Sequence, residues 1–284
     1  MADANRFKAL LLSLVRIMVG VLLGIFILLL LLYIFQDKLI FFPQTLTADE
    51  ADRIAKRYSH SSQIENIGLK SEKGICIRGW FVKNSTLKES PLIIYFGGNA
   101  EEVSYLIFHT DKIKGWSLAL MNYRGYGLSE GKPTEKNLYT DAISIYDYFT
   151  KRDDIDKKRI VVMGRSLGTG VATYLAKMRP VKALILVSPY DSLLSVAKEH
   201  FPFLPVKLLL RHRFDSLSRA PFISAPLLVL VASEDNIIRI SHSKKLAEKW
   251  GGEHSLIIVE GEDHNTIHDR EIYWKTINEF LVKF

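Results

Sequence analysis

Gly164-Arg-Ser-Leu-Gly168 is the feature that most limits how this chain folds. It follows the apolar run Ile160-Val-Val-Met163 and precedes a helix-like stretch, Leu167 to Met178. A serine at such a strand-to-helix turn takes a crowded backbone conformation. The residues two before and two after it must then be nearly free of side chain, as Gly164 and Gly168 are. The turn aims the Ser166 hydroxyl away from a sheet, and the helix behind it offers its first N–H groups to a developing oxyanion. Alone, the five residues are a weak signal. Between a β-branched strand and a helix carrying a further small pair, Thr169 and Gly170, they point to a nucleophile rather than a packing turn.

The 284 residues suffice for one α/β domain of about 230–250 residues plus an N-terminal appendage. Hydrophobic residues make up 48% of the chain, and their excess is concentrated near the N-terminus. No charge falls between Ile17 and Phe35, and the apolar stretch reaches back to Ala9 with Arg16 as its only charge. At about 1.5 Å per residue, Ile17–Phe35 nearly spans a hydrocarbon core of roughly 30 Å. A cleaved signal would be shorter and followed by a small-x-small site. The exit Gln36-Asp37-Lys38 has none, so an uncleaved anchor is expected. Gly20 and Gly24 form a G-x-x-x-G pair that fits chance glycines better than a dimerisation face.

Arg6, Lys8 and Arg16 precede the span and only Lys38 closely follows it. The positive-inside rule therefore places the N-terminus in the cytoplasm and the remaining chain across the membrane. A single cysteine, Cys76, excludes an internal disulfide framework. The net charge of +7 comes from scattered Lys and Arg residues that form no nucleic-acid module, so anionic lipid headgroups are the expected use of the excess.

The expected organisation is a tail and anchor over 1–36, a connector over 37–62 and one domain over 63–284, with a short cap at about 189–222. In the connector, Thr47-Ala-Asp-Glu50 resembles a capping box that opens a short helix. Periodicity predicts strands at Ile64–Leu69, Ile75–Val82, Leu92–Phe96, Ser117–Met121, Ile160–Met163, Ala183–Val187, Leu227–Ala232 and Leu256–Glu260. Helices are predicted at Glu102–Asp111, Glu135–Thr150, Leu167–Met178, Ser241–Trp250 and Thr266–Val282. Ser71-Glu-Lys-Gly74 reads as a hairpin turn, whereas the later strands are separated by crossover helices. The result is an eight-stranded, mostly parallel sheet with helices on both faces. Such sheets bind ligands beyond the carboxyl ends of their strands. Asn84-Ser85-Thr86 matches a glycosylation sequon in a polar loop.

A serine hydroxyl needs a base, normally a histidine oriented by a carboxylate. Of eight histidines, His264 stands out because it follows a strand through Gly261-Glu-Asp and precedes the last helix. His268, four residues on, makes a pair that lacks the glutamate and third ligand of a zinc site. Asp235, in the loop after Leu227–Ala232, is the expected acid, with Glu234 and Asp191 as alternatives. Asp191 reads more naturally as a helix cap. Asp263 adjoins His264 in sequence and is poorly placed for a side-on contact. The two oxyanion donors are expected to be the backbone N–H groups of Leu167 and of Asn99, in the loop Phe96-Gly-Gly-Asn-Ala-Glu101.

These residues make the chain resemble the α/β-hydrolase superfamily, in its branch of single-pass, membrane-anchored serine hydrolases. The likeness rests on Phe35-Gln-Asp-Lys-Leu-Ile-Phe-Phe-Pro43, Tyr95-Phe-Gly-Gly-Asn-Ala100, Asn122-Tyr-Arg-Gly-Tyr-Gly-Leu-Ser-Glu-Gly131 and Gly164–Gly168, continuing through Ser188-Pro-Tyr-Asp-Ser192, Ser233-Glu-Asp235 and Gly261-Glu-Asp-His-Asn265. It implies an α/β-hydrolase fold preceded by one transmembrane helix. It also implies hydrolysis of ester or thioester bonds in lipids or acylated proteins, and the order Ser166, Asp235, His264 is that of the family. Gly97 stands where the family commonly has histidine, which leaves the oxyanion loop without that anchoring side chain. Arg239 replaces a common proline, and no N-terminal cysteine cluster offers a palmitoylation site.

The segment from Ser188 to Ile223 joins bulky apolar residues to a basic cluster, with Lys207 and Arg211 in it. It reads first as a cap on the domain, and alternatively as a contact with the bilayer. The reading is thus a membrane-tethered serine hydrolase that acts on an acyl ester or thioester at a lipid bilayer, with no metal, organic cofactor or nucleic acid. A catalytically silent scaffold of the same fold and a peptide hydrolase are the rivals. Sequence sets neither acyl-chain length nor oligomeric state.

Overall fold

The computed structural model describes residues 2–58, 63–83 and 86–284. The sequon, at Asn84 and Ser85, and His60 lie outside the described residues. The chain opens with a 39-residue helix, α1 (Ala2–Ile40), whose apolar side chains face outward along nearly its whole length. A short helix follows, α2 (Ala48–Tyr58). Its expected capping box is present: the Glu50 N–H donates to Thr47 Oγ1 at 3.3 Å, and the Thr47 N–H donates to Glu50 Oε2 at 2.8 Å.

Eight strands form one sheet: β1 (Gln63–Lys70), β2 (Cys76–Lys83), β3 (Ser90–Phe96), β4 (Ser117–Met121), β5 (Ile155–Arg165), β6 (Ala183–Val187), β7 (Leu227–Ala232) and β8 (His254–Val259). Their order is β1-β2-β4-β3-β5-β6-β7-β8. The β2 strand runs antiparallel to both its neighbours, and every other pairing after it is parallel. Every residue of β3, β4, β6 and β7 is buried, as central parallel strands covered on both faces must be. Alternation along a strand divides the core in two. Ile94, Val162 and Leu184 face α3 (Glu135–Phe149), α4 (Leu167–Met178) and α7 (Ile240–Glu248). Ile93, Val161 and Ile185 face α2, the 103–112 segment and α8 (Glu271–Leu281).

Two helix predictions need correction. The segment expected as a helix over Glu102–Asp111 is a 3₁₀ stretch, Val103–Lys112. Its start is capped by side chains, the Val103 N–H donating to Asn122 Oδ1 and the Ser104 N–H to the Glu102 carboxylate. The last helix does not begin at Thr266. A short 3₁₀ turn, Ile267–Asp269, precedes an extended Arg270, whose side chain reaches back to Glu262, and α8 starts after it. His268 therefore sits in that turn, not inside the helix.

Two short helices, α5 (Leu193–His200) and α6 (Val206–Leu209), lie over the carboxyl edge of the sheet. The end of α1 is fastened to this segment. Gln36 Nε2 donates to the Leu209 carbonyl at 3.0 Å, and Gln36 Oε1 accepts from the Arg211 N–H at 2.8 Å. Asp37 accepts from Arg211 at 2.7 Å and lies 2.8 Å from His212 Nε2. The Phe41 ring packs edge-on against His212 and Phe214.

Candidate active site

The turn at Ser166 has the crowding its sequence implies. Ser166 holds φ 50° and ψ −117°, a strained conformation for a residue with a side chain. A Cβ on Gly164 would lie 2.5 Å from the Gly168 carbonyl oxygen, and one on Gly168 would lie 2.1 Å from that of Phe96. Both glycines are dictated by space. The Ser166 N–H donates to the Val187 carbonyl at 2.9 Å, which fixes the turn to β6.

Ser166 follows β5, Asp235 follows β7 and His264 follows β8, so the three side chains come from the carboxyl ends of parallel strands on one edge of the sheet. His264 Nδ1 is 2.7 Å from Asp235 Oδ2, and His264 Nε2 is 2.9 Å from Ser166 Oγ. The other carboxylate oxygen, Asp235 Oδ1, accepts from the N–H groups of Ile237 (3.0 Å) and Ile238 (2.8 Å). Burial raises the Asp235 carboxyl, but the hydrogen bond and charge of His264 and the Ile238 N–H outweigh it and hold it below its ordinary range. The ionised carboxylate makes Nδ1 the donor and leaves Nε2 free to accept the Ser166 proton. The acid and histidine loops are tied together by the Gly261 N–H to Ser233 Oγ and the Glu234 N–H to the Glu262 carbonyl, each 2.9 Å.

The alternatives fall away on geometry. The Glu234 side chain is exposed, and Asp263 accepts from the N–H groups of Asn265 and Thr266, which orders the histidine loop. Both ring nitrogens of His264 are engaged, so none is left for ligation with His268.

Asp191 is not the carboxylate that meets His264 and does not cap α5; Ser192 Oγ caps α5 by accepting from the Ser195 N–H at 3.0 Å. Instead Asp191, 1% exposed, lies 2.8 Å from His242 Nδ1 and 2.6 Å from Lys245 Nζ, while His242 Nε2 lies 2.9 Å from Glu199. Burial raises the Asp191 carboxyl, but hydrogen bonds from His242, Lys245 and the Ser192 N–H hold it well below the carboxylate range. The hydrogen bond to Asp191 pushes the His242 imidazole up, against burial. Lowered in the fold, Asp191 contributes stability above about pH 4 that is lost as pH falls through its folded value. Raised in the fold, His242 contributes stability that is complete below about pH 6.5 and is lost as pH rises through its folded value. Thermal melts from pH 5 to 9 should show a fall in wild-type Tm above about pH 6.5. The fall should be shallower in His242→Gln; equal slopes would contradict this assignment.

Leu167 is the first residue of α4, so its N–H has no partner within the helix. Across from it, the β3 loop presents Asn99, which lines the same cavity as Ser166 and Leu167. The Gly98 N–H is not available, because it donates to Glu101 Oε2 at 2.7 Å. Asn99 Oδ1 accepts from the N–H groups of Phe42 and Ala100 (both 3.0 Å) and from the Tyr126 hydroxyl (3.2 Å). The side chain is thereby turned onto its own loop and onto the residue just past α1.

Glu101 and Arg165 are the residues that sequence reasoning missed. The Glu101 carboxylate accepts from the Tyr95 hydroxyl (2.6 Å), the Gly98 N–H and Arg165 Nη1 (2.9 Å). Arg165 Nη2 continues to the His264 carbonyl at 3.1 Å and to Asn265 Oδ1 at 3.2 Å. One buried ion pair thus joins the Asn99 loop, the Ser166 turn and the His264 loop. It does the anchoring that Gly97 cannot.

A cavity of about 580 Å³ opens beside Ser166, with walls that are almost entirely apolar. Asn99, Ser166 and Leu167 line it together with Tyr190, Leu193 and Val196. Its size is that of a small-molecule site.

Comparison with known proteins agrees with this architecture. The family model described as alpha/beta hydrolase fold matches residues 91–218. The chain is 32% identical over 278 residues to the alpha/beta hydrolase domain-containing protein WAV2 of Arabidopsis thaliana, covering 89% of this chain and 90% of that one. It is 28% identical to the uncharacterized membrane protein YNL320W of Saccharomyces cerevisiae, over 89% of this chain and 90% of that protein. It is also 31% identical to the lysophosphatidylserine lipase ABHD12 of Danio rerio, over 59% of this chain and 49% of that one. An identity above 30% along almost the whole of WAV2, the matching model and the eight-stranded sheet lead to one conclusion: the chain belongs to the α/β-hydrolase family.

Proposed function

We propose that this protein is a membrane-anchored serine hydrolase that cleaves carboxylic esters or thioesters of acyl substrates. The observation that carries the proposal is the continuous hydrogen-bonded line Ser166–His264–Asp235 beside an apolar cavity. Ester-hydrolysing relatives support it, among them the zebrafish lipase. Ser166 Oγ bonds to the acyl carbonyl carbon as its proton passes to His264 Nε2. The N–H groups of Leu167 and Asn99 hold the oxyanion. When the tetrahedral centre collapses, the bond to the alcohol or thiol breaks and the leaving group takes the proton from His264. Water then attacks the acyl-enzyme and gives a proton to His264. Collapse releases the carboxylic acid, and the proton returns to Ser166. Asp235 stays ionised throughout and stabilises the imidazolium.

The N-terminal helix supports membrane association, as does likeness to a yeast membrane protein. Within the proposal, α1 is a single-pass anchor with its N-terminus in the cytoplasm. The hydrolase domain, from residue 63 with its cap at about 189–222, then lies on the opposite side. An ester and thioester panel of graded chain length, run on wild type and Ser166→Ala, tests the reading. Turnover confined to the wild type is expected. Equal turnover by the variant would overturn it.

A further inference from the structure

The cavity beside Ser166 is not closed by the hydrolase body alone. Leu32, Gln36, Leu39 and Ile40 of α1 form part of its wall, together with Val196, Phe201 and Leu209 of the cap. The uncharged stretch that precedes Asp37 runs back to Ile17. Leu32 lies five residues before Asp37, or about 7 Å along a helix, inside the segment suited to hydrocarbon. The cavity therefore extends from the reacting hydroxyl to the membrane-facing part of the anchor.

The rim fits the same placement. Phe203 is 98% exposed and Leu208 81%, and both lie in the cap that Gln36 and Asp37 fasten to α1. Lys207 and Arg211 flank them. Bulky apolar tips with basic neighbours suit the boundary between headgroups and acyl chains. The α1 end also reaches the reaction centre, since the Phe42 N–H donates to the Asn99 side chain.

We propose that α1 is a wall of the acyl pocket as well as a tether, and that a bilayer-resident lipid ester enters sideways between α1 and the cap. Its acyl chain lies against Leu32 and Leu39 while its carbonyl reaches Ser166. This rests on the serine-hydrolase reading above. The scarcity of polar groups along the cavity selects for an acyl chain, and the membrane-facing wall selects for one already in the bilayer.

The test uses the full chain reconstituted in phosphatidylcholine vesicles, with monooleoylglycerol as the embedded ester and p-nitrophenyl acetate as the soluble one. Leu32→Trp fills the opening. It should lower monooleoylglycerol turnover at least about tenfold more than it lowers p-nitrophenyl acetate turnover. Ile27→Trp, on the outward surface of α1 and away from the cavity, should change neither. Undiminished monooleoylglycerol turnover in Leu32→Trp would overturn the portal while Ser166-dependent p-nitrophenyl acetate turnover upheld the hydrolase. Soluble-ester turnover that survives Ser166→Ala would sink the hydrolase reading, and the portal with it. Should Leu32→Trp fail to fold, wild type decides the matter. A long-chain alkyl fluorophosphonate with a diazirine at its tail, bonded to Ser166, should crosslink to residues 32–40. Crosslinks confined to other parts of the chain would overturn the proposal.

Discussion

Ser166→Ala should lower kcat for every ester the protein turns over by about 10⁴–10⁶-fold, with Tm little changed. His264→Ala should cost nearly as much, and the double variant no more than either alone. Residues that act in one proton relay lose their effect together, because removing one already strands the others. Asp235→Asn is expected to keep the fold and lose about 10⁴-fold, since an amide at this position favours the wrong imidazole tautomer. Additive losses in the double variant would mean that Ser166 and His264 act independently, against their 2.9 Å contact.

Glu101→Leu should be the most damaging substitution at a residue that does not touch substrate. The carboxylate is 6% exposed and faces Arg165, itself 13% exposed, so its removal leaves a guanidinium and the Gly98 N–H buried without their acceptor. Stranding one member of a buried pair costs about 3–5 kcal/mol. The Asn99 loop loses its clamp at the same time. A kcat loss of about 10²–10³-fold is therefore expected, comparable to the loss of one oxyanion donor, with a smaller change in KM. Arg165→Leu combined with Glu101→Leu should recover part of the stability, because an apolar pair strands no charge. The rate should stay low, because the loop is still unclamped. Urea unfolding and steady-state kinetics on the three variants check both halves. A double variant no more stable than Glu101→Leu would show that the pair is not what the single substitution breaks.

The candidate site is legible in the sequence because its signals are local. Ser166 is marked by the two glycines its turn requires, and Asp235 and His264 each follow an apolar strand and precede a helix. Parallel strands deliver all three ends to one edge, so strand identity alone brings them together. The strand assignments held for the same reason, since runs such as Leu227–Ala232 are apolar without interruption. The supporting contacts were illegible because their partners are far apart in sequence. Glu101 and Arg165 are separated by 64 residues, and Asp191 and His242 by 51. No periodicity marks such pairs. The Val103–Lys112 stretch misled because apolar spacing does not distinguish an α-helix from a 3₁₀ helix. The Asn99 loop shows both limits at once. Its glycines point to a close backbone approach, whereas the Glu101 clamp beneath it depends on Arg165 at the end of β5, 64 residues along the chain.

Intact-mass and peptide analysis after reaction with a fluorophosphonate asks whether Ser166 is an activated nucleophile. A single adduct on Ser166 is expected in wild type, none in Ser166→Ala, and strongly slowed labelling in His264→Ala. An unlabelled Ser166 in folded wild-type protein, or an adduct that persists in Ser166→Ala, would contradict the account.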